Sequence, residues 1–389
     1  MTQPVMMESN GVARERAPGF GPRSTSHDGK AQAPAEPRIA EFASALEALR
    51  REVEQQVGES DAEHIRRIGK LSDRFELLGR SLIHFSFEPL TFGLGTAALW
   101  AHKTLELMEI GHMALHGAYD GLPDAQRFQS SDFRWKAPID ESSWKMGHNV
   151  RHHQYTNIAG KDPDLDFGAL RLSARIPFKK IHALQPFGNF FSWLGFATAI
   201  NLHVTGILDV YLKQGQSEHL QNPSRSEVWR AQRTFLGKQL RYYAREYLFF
   251  PALAGPFFAK VLLANMLSEL GRDLWAAAII YCGHVGAKDF PAGTEPATRA
   301  DWYALQAEAA SDVAVPEWVS ILCGGLDLQI EHHLFPRLPP NRLRQIAPRV
   351  REICEQHGVT YRSDSWPRSL RSVVSELYRL RKPSATVPA

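Results

Sequence analysis

The sequence predicts an all-α integral membrane protein, with transmembrane helical hairpins and a histidine-rich site gathered on one membrane face. Three observations predict it. Long apolar runs recur between residues 83 and 284. The polar stretches between them differ in their basic charge. Histidines gather in four tight places at the ends of those runs.

Composition narrows the class. The chain has 389 residues, a formal charge of +3 and a mean hydropathy of -0.29. So small a net charge gives no reason to expect a nucleic-acid partner. Three scattered cysteines, Cys282, Cys323 and Cys354, make no disulfide framework, zinc ribbon or iron–sulfur cluster. They fit a reducing, cytoplasm-facing protein. The 16 histidines are the unusual count, because half of them are clustered.

The elements follow in order. Residues 1–36 are rich in Pro, Gly, Ser and charge, and read as a disordered tail. Residues 37–81 have helical apolar spacing and heavy charge. They read as amphipathic helices lying on a membrane surface or on the main domain. The membrane domain is expected over 82–365, with a C-terminal helix and tail at 366–389. Its first apolar segment, 83–108, crosses a bilayer once or forms a tight hairpin with 109–116. The second, 187–211, carries Asn189, Asn201, His203 and Asp209, and suits an interfacial helix. The third is YLFFPALAGPFFAKVLLANML at 247–267, followed by the polar SELGRD and then LWAAAIIYCGH. It reads as a hairpin bent at 268–273.

Charge sets the topology. Residues 211–245 hold seven basic residues (Lys213, Arg225, Arg230, Arg233, Lys238, Arg241, Arg245) against two acidic ones, Glu218 and Glu227. That places 211–245 on the cytoplasmic side and 268–273 on the far side. His284 then returns to the cytoplasmic face, where the basic stretch 312–389 also lies. In a bacterium this is the inner membrane. The rival is a soluble all-α protein whose apolar runs are core helices.

The four histidine places are GHMALHG with His112 and His116, GHNVRHHQYTN with His148, His152 and His153, CGH with His284, and QIEHH with Gln329, His332 and His333. On a helix, residues four apart share a face, so His112 and His116 reach one metal, as do His148 and His152. Adjacent histidines diverge by about a hundred degrees, so His153 can serve a neighbouring metal. Eight histidines exceed the needs of a four-coordinate zinc site. The ligand spacing contains no carboxylates, which argues against calcium and magnesium. Two metals held by imidazole at a membrane face point to non-haem iron and oxygen chemistry. A lone HxxxH pair or HH doublet is more often structural, but four such groups together are not.

The other histidines read differently. His27, His64, His219 and His357 lie in polar stretches and read as solvated; His84, His102, His182 and His203 read as packing or interface residues. Glu109, Asp120, Asp162, Asp164, Asp166, Asp327 and Glu331 are candidate acceptors for imidazole N–H groups.

HMALH, HNVRHHQYTN with GKDPDLDFG, and QIEHHLFPRLPPNRL resemble the three histidine boxes of the membrane fatty acid desaturases. The match is closest to bacterial acyl-CoA or acyl-lipid desaturases whose third box begins with Gln. It spans roughly 80–365. The resemblance implies four membrane helices under a cytoplasmic cap that holds two irons. It also implies one further histidine near the end of the fourth membrane helix, a position His284 fits. Gln329 stands where some branches carry histidine.

The expected activity is oxygen-dependent desaturation of a long fatty acyl group, carried on coenzyme A or on a membrane lipid. Two iron ions are the cofactor and O2 the co-substrate. No nucleotide-binding glycine fingerprint or cytochrome-like segment is visible, so electrons are expected from a separate ferredoxin or reductase. The basic stretches 225–245 and 342–351 read either as a headgroup-attracting surface or as an ordinary positive-inside face. The ligand set expected is the eight boxed histidines, with Gln329 weak or water-mediated. His284→Ala is expected to lose iron, and His203→Ala to keep it. The alternatives are a hydroxylase, epoxygenase or carotenoid oxygenase using the same centre, and a membrane metal-binding or transport protein.

Overall fold

The computed structural model describes residues 36–212, 220 and 223–384. Most of the expected tail 1–36, and His27 and His219, lie outside them. Helix α1 (Glu36–Glu54) packs on the main body through Phe42, Leu46, Leu49 and Val53, all buried, which favours docking on the domain over a membrane surface.

Two helical hairpins form the centre. In the first, α2 (Glu59–Phe85) turns into α3 (Pro89–Leu105). Pro89 sits in the first turn of α3, and the Glu88 carboxylate accepts from the amides of Leu90 (2.5 Å) and Thr91 (2.6 Å), a proper helix start. The hairpin arms approach closely because Gly79 and Gly95 face each other: a Cβ on Gly79 would lie 2.9 Å from the Gly95 carbonyl oxygen. After α3 the helix widens into a π-helical segment, Glu106–His112, which ends on the first histidine of the first box.

In the second hairpin, α4 (Arg225–Ala244) continues through a π-helical segment, Arg245–Phe249, and a short helix, Phe250–Leu253. It then bends at Ala254–Phe257 into α5 (Phe258–His284). This corrects the bend expected at 268–273. Pro251, Gly255 and Pro256 break the helix, whereas SELGRD continues it. The charges of SELGRD are not at a membrane face. Glu269, Arg272 and Asp273 are buried: Arg272 pairs with Glu269 (2.8 Å) and Asp273 (2.7 Å), and Lys103 of α3 pairs with Glu269 (2.9 Å) and Glu246 (2.8 Å). The far-side placement of 268–273 therefore falls with the bend.

The two hairpin tips sit together, with Phe87 edge-on to Phe257 at 6.2 Å. Around them Phe85, Phe87, Leu90, Leu94, Phe249 and Leu253 are exposed. No helix among the described residues is long and apolar enough to cross a membrane. The second apolar segment is not one helix. Gln185–Leu194 and Phe196–Val204 are separated by Gly195, and Ile207–Leu212 follows Gly206 at φ +78°.

The remaining chain builds the cap. Helices α6 (Arg299–Ala309), α7 (Gln329–Leu334), α8 (Pro340–His357) and α9 (Trp366–Arg379) surround the histidines. One small parallel pair, β1 (Asp312–Ala314) with β2 (Ser363–Ser365), ties the strand before α7 to the one before α9. An all-α reading leaves this pair out; three residues per strand give no periodicity to detect.

Candidate metal centre

Each histidine group sits on its own element, and the hairpins bring all four to one place. The second box lies on a helix that starts as Glu141–Trp144 and widens into a π-helical segment, Lys145–His152. Both of the first two boxes thus lie at π-helical segments, a geometry frequent at functional sites. The wide turn at the first box has a local cause. Trp135 lies so close to Gly111 that a Cβ there would be 1.9 Å from Nε1, and that nitrogen donates to the Glu106 carbonyl at 2.9 Å.

Two groups of imidazoles result. His112, His116, His148 and His332 have ligand atoms within 4.8 Å of one another, and so do His152, His284 and His333. A third grouping joins His148, His152 and Asp164. His153 lies between the two histidine groups: its ring is 4.7 Å from His116 and His332 and stacks on His333 at 4.3 Å. His148 and His152, expected to reach one metal, have ligand atoms close enough to do so in that third grouping, while His148 also lies with the first box and His152 with His284 and His333. Gln329 packs against Gly283, the neighbour of His284, where a Cβ would lie 2.3 Å from its Cγ; its Oε1 is buried without a hydrogen-bond partner.

The donor chemistry fits metal ions. Burial, with neighbouring imidazoles, holds His112, His116, His148, His153, His332 and His333 well below the ordinary imidazole pKa, and lowers His284 to about 3. Neutral rings each carry a lone-pair nitrogen. These nitrogens face one another: His112 Nε2 is 3.3 Å from His148 Nε2, and His333 Nε2 is 3.2 Å from His284 Nε2. Both nitrogens of His332 and Nε2 of His116 are buried with no hydrogen-bond partner. Convergent buried lone pairs are costly alone and are stabilised by a cation.

A supporting shell orients the rings. Burial opposes protonation of His152, yet the Asp162 and Asp164 carboxylates lift it to about 9. Asp162 accepts from His152 Nδ1 at 3.0 Å and from the Asn157 amide at 2.7 Å. His333 Nδ1 meets Gln306 Oε1 at 3.0 Å and Thr156 Oγ1 at 3.1 Å. Trp144 stacks on His148 at 4.4 Å and lies edge-on to His112 and His116. The sequence reading missed Trp144, Thr156 and Gln306. Thr156 carried a signal, in the polar TN that closes the second box; Gln306, in a plain helix, carried none.

The candidate acceptors separate. Asp162 and Asp164 reach a box histidine, whereas Glu109 is taken by His64 (3.0 Å) and Arg344 (2.7 Å), and Asp120 by Ser130 (2.7 Å). Glu331 shares Tyr361 with Asp312 and faces away from the rings. His64, half-buried, lies 3.0 Å from the Glu109 carboxylate, and His357, also half-buried, bonds the Ile353 carbonyl (2.8 Å). The basic stretch 342–351 is also committed: Arg342 to Asp61, Arg344 to Glu109, Arg349 to Glu52.

Beside His152 and His284 opens a cavity of about 60 Å3. Its walls are largely apolar, with Phe167, Phe196, Ile200, Ile280, Tyr281 and Val285 among them. Asp164 is the carboxylate on its lining.

A family model described as fatty acid desaturase matches residues 86–365. The chain is 33% identical over 340 residues to an NADPH-dependent stearoyl-CoA 9-desaturase of Mycobacterium tuberculosis, covering 84% of this chain and 76% of the relative. It is 27% identical over 288 residues to an sn-1 linoleoyl-lipid 6-desaturase of Synechocystis, covering 71% and 77%. A shorter match, 45% over 71 residues, joins it to Delta(8)-fatty-acid desaturase 1 of Arabidopsis thaliana; this covers 18% of the chain and 16% of that relative.

Proposed function

Since the chain belongs to the fatty acid desaturase family, we propose that it desaturates a long-chain fatty acyl group in lipid metabolism, using O2 at a centre of two irons. The observation that carries this is the convergence of eight histidines from four separate segments beside one apolar cavity. His112, His116, His148 and His332 would hold one iron, and His152, His284 and His333 the other, with His153 between them. When bound, the irons supply the oxygen chemistry that removes two hydrogens from adjacent methylenes, which no side chain can do.

The chain's own residues do the rest. The apolar wall formed by Phe167, Phe196, Ile200 and Ile280 lies on the His152–His284 side, where it would face the reacting methylenes and keep water from them. Asp162, Thr156 and Gln306 fix ring orientation and tautomer. The acyl group arrives as a CoA thioester or on a membrane lipid, in keeping with the names of the two relatives that cover most of the chain. Electrons come from a separate ferredoxin- or reductase-type donor. The protein resides in a bacterial inner membrane with the histidine site facing the cytoplasm. The exposed aromatic tips of the two hairpins support that attachment.

Expression in a bacterium lacking desaturases, with mass spectrometry of total lipids, tests the reading. New monounsaturated chains are expected. Hydroxylated or epoxidised chains in their place would assign the centre to oxygen insertion.

A further inference from the structure

Trp135 touches both of the first two histidine boxes and belongs to neither. It lies in the connection between them and is buried. Its indole fills the space over Gly111 that a Cβ would occupy, and Nε1 donates to the Glu106 carbonyl at 2.9 Å. The same ring stands edge-on to Trp144 at 5.3 Å, and Trp144 stacks on His148 at 4.4 Å. Its backbone is pinned as well. The Trp135 amide donates to Glu141 Oε1 at 2.7 Å, and Lys238 of α4 donates to the Trp135 carbonyl (3.0 Å) and to the same Glu141 oxygen (2.6 Å). Glu141 opens the helix that carries the second box.

We propose that Trp135 is a positioning residue for the metal group of His112, His116, His148 and His332. The inference rests on the metal reading of those histidines and names what aims them. Two observations carry it. The first is the widened turn. The upstream part of α3 is fixed by the Gly79–Gly95 contact and by Lys103, which pairs with Glu246 and Glu269. A helix turns by about a hundred degrees per residue. The extra residue taken up in the π-helical segment Glu106–His112 therefore rotates His112 and His116 by that much relative to α3. Trp135 holds that turn open by its wedge at Gly111 and its bond to the Glu106 carbonyl. The second observation concerns ring support. In the neighbouring group, Asp162 orients His152, and Gln306 and Thr156 orient His333. In this group Nδ1 of His112, Nε2 of His116 and both nitrogens of His332 are buried with no hydrogen-bond partner. Backbone placement and ring packing must then set the ring directions, and both lead to Trp135.

The test uses the full chain in detergent micelles, freed of metal and titrated with cobalt(II), whose visible absorption reports its coordination. The parent is compared with Trp135→Phe, Gly111→Ala, the double variant Gly111→Ala with Trp135→Leu, and Trp275→Phe. Trp275 is the control. Its Nε1 also donates to a backbone carbonyl, that of Leu322 (3.1 Å), and its ring packs on Trp100 and Trp366. Trp135→Phe keeps a ring beside Trp144 but loses the N–H. It should weaken one of two cobalt sites by about 10–100-fold and change its absorption, while the other site keeps the parent's affinity. Trp275→Phe should lower the melting temperature without moving either site. Gly111→Ala should lose both stability and the affected site, since its Cβ meets the indole. Removing the indole in the double variant should recover stability yet leave that site weak, because the turn has lost its wedge. Three outcomes overturn the proposal: parent-like cobalt affinity and absorption in Trp135→Phe, equal weakening of both sites in step with the melting temperature, or a double variant that recovers the site along with stability. Failure of the metal reading looks different: the parent itself takes up no cobalt, and the proposal falls with it.

Discussion

His203 Nε2 lies 3.0 Å from one oxygen of Asp164, and the other oxygen of that carboxylate stands 3.5 Å from His152 Nδ1. His203 comes from an apolar segment and reads in the sequence as a packing residue. It is fully buried, its ring stacks on Phe167 at 4.1 Å, and it steadies a carboxylate that touches a candidate ligand. His203→Ala is therefore expected to lower metal affinity by about 10–100-fold. That reverses the silent behaviour expected from sequence alone. Metal titration of the purified variant measures it, and a parent-like titration would return His203 to the packing class.

His284 has a stronger claim. Its Nε2 is 3.2 Å from His333 Nε2, and its ring is 4.7 Å from His152. His284→Ala should strip iron from the group it shares with His152 and His333 while leaving metal in the group around His112. Elemental analysis near one iron per chain supports this; two irons would remove His284 from the ligand set.

Gly283 is fixed by its neighbour. A Cβ there would sit 2.3 Å from Gln329 Cγ and 3.0 Å from its Nε2. Gly283→Ala must push the start of α7 and with it His332 and His333. A loss of about 1–3 kcal/mol in stability is expected, together with reduced metal uptake. Thermal unfolding and metal analysis read the two effects separately; unchanged values in both would show that Gln329 yields without cost.

Lys103 holds two carboxylates, Glu246 and Glu269, in the buried middle of the hairpins. Lys103→Met leaves their charge partly uncompensated, and a cost of about 3 kcal/mol is expected. The triple change Lys103→Met, Glu246→Gln, Glu269→Gln should recover much of it, because no charge then lacks its partner. Denaturant unfolding of the single and triple variants decides. Equal stability of the two would show that the network contributes little.

Asp61 ties the entrance of α2 to α8. Burial raises its pKa, but the stronger combined effect of Arg342 (2.7 Å), Asn341 (2.7 Å) and the Gly58 amide (3.0 Å) leaves it below the ordinary value. A depressed carboxylate pKa stabilises the fold above the unfolded value, roughly pH 4. The contribution disappears as pH falls through the folded pKa. Asp61→Asn should therefore lower the melting temperature at pH 7 and flatten its fall between pH 4 and pH 2. A variant whose acid limb matches the parent would assign that limb to other carboxylates.

Much of the centre was legible in the chain. The four histidine groups announce themselves because imidazole clustering at helical spacing is rare, and ligand chemistry demands those atoms. The family resemblance was legible for the same reason. Helices at 36–54 and 59–85 also followed from local apolar period and charge. Pairing between groups was not legible. A helical wheel gives neighbours on one element, whereas His148 meets His332 and His152 meets His333 across separate elements. The hairpin bend misled for a related reason. Polar SELGRD looks like a loop when only hydropathy is read, but Lys103, 166 residues before Glu269, neutralises it inside the fold. Asp164, Thr156 and Gln306 took their places beside the rings through tertiary contacts, since a hydrogen-bond acceptor can come from any element that happens to pass within 3 Å. Residue type and local spacing therefore determined the inventory of clustered histidines and the helices. Long-range packing decided which ring nitrogens lie together and which charges are buried.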